Sequence, residues 1–267
     1  MNRSVTAHLT ARTQANTEIA LSVAVARNPG YTALNETLVV TADGEEIQAR
    51  EVQDHHGGVL HALTIEKPAQ LEVTYRAEVA GAATPPNPDA GDLIRYVRPS
   101  RYCDSDRLLP TSYSLFGSLR GSELLAAVRE WVNSNLSYVS GSSRHTDGAS
   151  DTLMARRGVC RDYAHLAISL LRAKDVPARL ASAYAPGLNP MDFHAVVEAW
   201  VDGAWHVIDA TGLAPRSTLL RIATGRDTAD TAFLSTVGGS LSLQTLKVTA
   251  EADEVHDDDG TSLLQLR

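Results

Sequence analysis

The sequence predicts an α+β protein in two parts, an antiparallel β-sandwich followed by a core of helices packed on an antiparallel sheet. Three observations carry that prediction. Apolar residues alternate with a period of two through the first 80 residues, and the period lengthens to that of a helix past residue 120. In addition, 11 of the 14 aromatic residues lie between Tyr96 and Trp205. With 267 residues, 43% hydrophobic and 21% charged, the chain can bury a core and is not collagen-like, low-complexity or a disulfide scaffold.

In the first part, Ile19, Leu21, Val23 and Val25 alternate with small residues, and Leu71, Val73, Tyr75, Ala77 and Val79 repeat the pattern. Such segments are strands with one buried face. Asp43-Gly44 between Leu38–Ala42 and Ile47–Val52 signals a hairpin. Residues 1–80 therefore read as a β-sandwich domain. Residues 81–92, GAATPPNPDAGD, carry three prolines and no large apolar side chain, and read as a linker. From 93 to 267 the chain reads as a second domain. Leu124, Leu125, Val128, Trp131 and Val132 share one helix face, with Ser122 placed as its cap. A short helix follows Ser150 and stops at Gly158. A stronger one spans Cys160–Ala173, with Leu166, Leu170 and Leu171 in its core stripe, and Pro177 bars its continuation. Three strands follow at Ala178–Tyr184, Phe193–Val201 and Ala204–Thr211, the last two joined by an Asp202-Gly203 hairpin. Ser240–Val248 and Ser262–Leu266 read as further strands whose sheet the sequence leaves open.

Charge and motif content exclude several function classes. With 24 basic against 32 acidic side chains the net charge is −8, which disfavours nucleic acid as a partner. No apolar run reaches the ~18–20 residues of a membrane span. The opening MNRSVTAHLT lacks the apolar core of a secretory signal, so the cytoplasm is the expected location. The acidic run from Glu251 to Asp259 reads as a solvated edge and fits no EF-hand spacing. Two cysteines with no C-x-x-C give no zinc pattern, and no metal or other cofactor is expected. No P-loop, G-x-G-x-x-G, H-E-x-x-H or G-x-S-x-G motif is present. His55-His56, beside two glycines, reads as an exposed loop.

Cys160 stands apart from this background. It opens a helix after Gly158-Val159, where free backbone N–H groups and the helix dipole favour a thiolate. If Asp202-Gly203 is a two-residue turn, Val201 pairs with Ala204 and His194 faces Thr211. Asp209 is then a diagonal neighbour of His194 on the same face, about 7–8 Å away between strands. A histidine oriented by a carboxylate is what a cysteine nucleophile needs. Cys160, His194 and Asp209 are therefore the candidate catalytic residues. The backbone N–H of Cys160 is the natural first oxyanion donor, with Tyr138 and Tyr102 as candidates for the second. Cys103 lacks such a setting and reads as structural. His165 points about 140° away from Cys160 around the helix, which suggests a core or supporting role. Asp162 and Tyr163, in the first helical turn, could tune the site, although Asp is also an ordinary helix-start residue.

The segments Arg157-Gly158-Val159-Cys160-Arg161-Asp162-Tyr163, Val176-Pro177-Ala178-Arg179, Asp192-Phe193-His194-Ala195 and Ile208-Asp209-Ala210-Thr211 resemble, in this order, the core of the bacterial transglutaminase-like superfamily. Arg98-Pro99-Ser100-Arg101-Tyr102 and Thr224-Gly225-Arg226-Asp227 extend the resemblance to most of the chain. It implies a papain-like core with an N-terminal β-domain, Cys160 as nucleophile, His194 as base and Asp209 as its orienter. The implied chemistry is acyl transfer through a thioester on a peptide or protein substrate. Calcium dependence is not carried over, since no calcium site is recognisable. Water is the favoured acyl acceptor, because Trp200 and Trp205 read as a cross-strand core pair rather than walls of a dry amine channel. The alternative is a non-catalytic scaffold or protein-binding module with the same fold.

Overall fold

The alternating N-terminal segments fold as strands in a computed structural model that describes residues 1–85 and 89–267. These are β1 (Asn2–Thr13), β2 (Thr17–Leu21), β3 (Tyr31–Ala42), β4 (Glu45–Glu46), β5 (Arg50–Gln53), β6 (Val59–Ile65) and β7 (Ala69–Gly81). They divide between two antiparallel sheets. Leu9, Ile19, Leu21, Leu63, Leu71 and Val73 meet between the sheets, because alternate side chains of each strand point to one interior. Asp43 and Gly44 have φ of 51° and 85°, the backbone a two-residue hairpin requires. The second arm of that hairpin is shorter than expected. It stops at Glu46, and the chain crosses to the other sheet, where β5 pairs with β6.

Residues 86–88 of the expected linker lie outside the described residues. Asp89 then caps α1 (Ala90–Arg95) by accepting the Gly91 N–H at 3.0 Å. Four further helices follow: α2 (Ser105–Phe116), α3 (Gly121–Asn135), α4 (Ala149–Ala155) and α5 (Cys160–Arg172). Two expected boundaries move. Ser122 lies inside the first turn of α3, whose cap position is Arg120, with no side-chain capping bond. The second change concerns α4, which ends at Arg156, a left-handed residue with φ of 54°. Gly158 is therefore not a helix stop. It belongs to a two-residue strand, Arg157–Gly158, paired in parallel with Ser137–Tyr138.

With those two short segments counted as β8 (Ser137–Tyr138) and β9 (Arg157–Gly158), the remaining strands of the core are β10 (Ala178–Tyr184), β11 (His194–Val201), β12 (Ala204–Ile208) and β13 (Leu220–Gly225). They form an antiparallel sheet in the order β12-β11-β10-β13. One face packs on α3 and α5 through Leu125, Val128, Leu166, Leu170 and Val197. The other face meets the sandwich, where Tyr184, Leu220 and Ile222 share a buried cluster with Val5, Val23 and Tyr75. The Tyr184 hydroxyl also donates to the Val23 carbonyl at 2.7 Å.

The C-terminal strands return to the sandwich. After α6 (Thr228–Thr231), β14 (Leu234–Gly238) pairs with β2, and β15 (Leu241–Ala252) pairs with β1 along its length. Ser262–Leu266 is not a strand of a sheet. It contributes one backbone bond, from Val207 N–H to the Leu264 carbonyl at 2.7 Å, and buries Leu266. The acidic run is not wholly solvated either, since Asp258 forms a two-oxygen clasp on the buried Arg216 guanidinium at 2.7 and 2.8 Å.

Candidate active site

Cys160 is the first residue of α5, and the local chain explains its setting. Val159 is extended, and its N–H donates to the Asp162 carboxylate at 2.8 Å, which caps the helix from within its first turn. A Cβ on Gly158 would stand 2.6 Å from the Asp162 Cβ, so this close approach needs glycine. The β8–β9 pairing lays Tyr138 beside Gly158. As a result Tyr138 lies close to the start of α5, where Cys160 acts on its phenol. Burial, and then the charge of Cys160, push the Tyr138 phenol up to about 12.

His194 starts β11, and the hairpin has the expected register, Val201 opposite Ala204 and Trp200 opposite Trp205. Asp202 and Gly203 turn it with φ of 51° and 80°. Asp209 follows the last residue of β12, and its Oδ2 lies 2.8 Å from His194 Nε2, with both side chains buried. Cys160 lines the same cleft as His194, and its Sγ lies 4.0 Å from the Phe193 carbonyl. Burial alone would lower the His194 pKa. The Asp209 charge and hydrogen bond, with the Cys160 side chain, outweigh it and carry His194 up to about 10. Asp209 shows the converse: burial would raise it, but His194 and Thr211 hold it below the usual carboxylate range.

Neighbouring groups hold the Asp209 carboxylate and its loop in place. Thr211 donates to Oδ1 from its N–H at 2.8 Å and its hydroxyl at 2.7 Å. Asn133 of α3 donates to the Ala210 carbonyl at 2.9 Å. Only the polar position of Asn133 beside an apolar helix stripe hinted at such a contact, and that hint is common to most surface helices.

Cys160, His194 and Asp209 are thus brought together, with Tyr138 beside them. Tyr102 is placed elsewhere. Its ring stacks on His165 at 5.4 Å, and its N–H donates to Asp227 at 2.9 Å. His165 is buried against Thr228, its Nε2 at 2.7 Å from the hydroxyl, and burial holds it down to about 4. Cys103 is fully buried in the helical core, which pushes its thiol up to about 12. The segments around Arg98–Tyr102 and Thr224–Asp227 meet at the buried Arg172, which donates to the Arg98 and Arg226 carbonyls at 3.1 and 2.7 Å.

The His55-His56 loop is anchored rather than free. His56 Nε2 lies 3.1 Å from the Tyr96 hydroxyl and 3.3 Å from Asp92, and burial followed by the Arg179 charge lowers its pKa to about 3. Among the described residues, no group of three or more His, Cys, Asp or Glu side chains is arranged to hold a metal ion. No helix of the described residues is long and apolar enough to cross a membrane.

This chain resembles several known proteins. The Transglutaminase-like superfamily profile matches residues 116–210, which include Cys160, His194 and Asp209. The crystal structure of a candidate cysteine protease from Cytophaga hutchinsonii is 32% identical and superposes with a TM-score of 0.89, over 100% of this chain and 98% of that one. An uncharacterized protein of Mycobacterium leprae is 28% identical over 138 residues, and one of Mycobacterium tuberculosis is 32% identical over 123 residues. These matches span about half or less of either partner, 48% of each chain in the first case and 40% and 39% in the second. With its fold, its ordered core segments and a full-length likeness at this identity, the chain belongs to the bacterial transglutaminase-like superfamily.

Proposed function

We propose that this chain is a cysteine-dependent enzyme that cleaves an amide of a peptide or protein through a thioester and passes the acyl group to water. The observation that carries the reading is the buried His194 ring, held by Asp209 on Nε2 at 2.8 Å and lining one cleft with Cys160. A histidine carried up to about 10 holds a proton at neutral pH that it can give to the leaving nitrogen. Cys160 Sγ attacks the carbonyl carbon, and the π pair moves to oxygen, where the Cys160 N–H and the Tyr138 hydroxyl are the donors. Collapse breaks the C–N bond as His194 gives its proton to the departing nitrogen, so the amine leaves neutral. The neutral imidazole then takes a proton from water, the hydroxide attacks the thioester, and the C–S bond breaks to restore the thiolate and release the acid. Asp209 holds the ring and stabilises its charge throughout.

Water is the preferred acceptor because the aromatic pair that might wall a dry channel is occupied elsewhere. Trp200 and Trp205 pack on each other at 5.5 Å, and Trp205 lies under the Arg179 guanidinium at 4.0 Å.

Iodoacetamide labelling followed by mass spectrometry tests the reading. Cys103 is buried and serves as an internal control. Labelling should fall on Cys160, persist at pH 6–7, and slow at least tenfold in a His194→Ala variant. A Cys160 that reacts no faster than a free thiol, with or without His194, would leave a non-catalytic scaffold as the better description. With a glutamine or ester donor and millimolar amine, acid should outweigh amide among the products; an excess of amide would reassign the acceptor.

A further inference from the structure

The cleft beside Cys160 has a volume of about 290 Å³ and is built from both parts of the fold. The core contributes Phe193, Ala195 and Ile222. The link from α6 to β14 contributes Ala232 and Phe233, and β15 contributes Leu246. Phe193 and Phe233 stack with centroids 5.1 Å apart. Phe233 is fixed at the seam because its carbonyl accepts the Ser22 N–H at 2.9 Å.

Several polar groups that line the same cleft are already engaged. The Ser182 hydroxyl accepts the Ala223 N–H at 3.2 Å, and Thr228 is bonded to His165 at 2.7 Å. The Arg161 guanidinium is committed to Ser143 and Asp162, at 2.8 and 3.3 Å. The one carboxylate at the cleft, Asp192, is exposed at its mouth and caps the Phe193 N–H at 2.7 Å. The interior therefore offers mainly apolar surface, its one guanidinium is held by Ser143 and Asp162, and the exposed Asp192 adds a carboxylate.

We propose that this cleft is a specificity pocket of the site described above, and that it selects acyl donors with a bulky apolar side chain next to the reacting carbonyl and rejects acidic ones. The proposal rests on the reading of Cys160 as nucleophile, because the pocket and the thiol share one cavity. Phe233 and Ala232 act as specificity residues. They shape the wall and take no part in bond making.

The test uses the full chain and a set of peptidyl acyloxymethyl ketones that differ in one side chain on the acyl side: Leu, Phe, Ala, Gly, Lys or Asp. Second-order rates of Cys160 alkylation are compared by mass spectrometry. Leu and Phe probes should react at least ~10-fold faster than Gly, and Asp should be slowest, since a methylene or two in an apolar pocket is worth about 10–200-fold. Phe233→Ala should lower the Phe-to-Ala rate ratio. Ala232→Leu, a change at a partly exposed wall position, should favour Ala over Phe. Rates that do not depend on the side chain, with Cys160 still labelled in a His194-dependent manner, would overturn the pocket and leave the nucleophile standing. A Cys160 that resists both the ketones and iodoacetamide would overturn both.

Discussion

Asp209→Asn is the most informative single change at the site. The amide would fill the same space beside His194 Nε2 while removing the negative charge that outweighs burial of the ring. In a serine triad the comparable exchange costs about 10⁴ in kcat, and a loss of that order is expected here with the fold retained. The pH profile gives a second reading. His194 is raised, so its proton and the stability of the pair persist below its ordinary value and are lost as pH climbs through about 10. Asp209 is lowered, so its contribution is present above the ordinary carboxylate range and is lost as pH falls through its depressed value. Activity should hold across neutral pH with an alkaline limb near 10, and Asp209→Asn should move that limb downward. A limb that stays in place would remove the carboxylate from control of the proton. Tyr138→Phe should lower kcat by about 10²–10³ with little effect on KM, the signature of a lost oxyanion donor, whereas a change confined to KM would remove the phenol from that role.

Among the elements, the junction from β9 to α5 has the least room to change. Gly158→Ala would drive its Cβ against Asp162, the residue that caps the helix start. The first turn of α5 must then shift, and Cys160 with it. A displacement near 1 Å can cost ~10²-fold in rate, so kcat should fall far more than the melting temperature. A normal kcat would show that the turn tolerates the methyl group. The same scale shows how much the sequence revealed. The Asp202-Gly203 turn fixes the register of two strands, so the meeting of His194 and Asp209 followed from parity alone. The start of α5 was legible for a similar local reason. The end of α4 was not, because Arg156 takes a left-handed conformation that glycine usually occupies. The hold of Asn133 on the Asp209 loop spans 77 residues and has no local signature. The same holds for the clasp of Arg216 by Asp258, which turned an apparent solvated run into a strap.

At the scale of the whole molecule, the core sheet carries one buried network of charge that reaches His56 of the sandwich, 3.5 Å from Arg179. Glu198 accepts both guanidiniums of its neighbours, Arg221 at 2.7 Å twice and Arg179 at 2.9 Å. Arg179 also faces Asp92 at 3.6 Å. Burial would raise Glu198, but Arg179 and Arg221 bring it down to about 2. Glu198→Gln should cost roughly 3–5 kcal/mol by denaturant titration, because two buried cations lose their partner. A cost under ~1 kcal/mol would mean that the network relaxes or admits water. As for domains, we propose that residues 1–80 and 93–267 are distinct in composition yet not independent. A fragment of 93–267 should fail to melt cooperatively, since β15 would lose β1 and expose Val248 and Ala250. A cooperative, fully active fragment would refute that dependence.

The pairing of β1 with β15 also sets a clock. Arg3 lies opposite Ala252 and Leu9 opposite Leu246, so an early strand has to wait for one made far later in synthesis. At about 5–20 residues per second, that wait is on the order of ten seconds or more. In the last stretch of it the nascent chain already contains Cys160, His194 and Asp209 but not yet Phe233 or Leu246, two walls of the cleft beside the thiol. Contacts this distant in sequence form slowly and late. The cleft closes only after the reactive groups exist, so its assembly is a late event in the making of the protein.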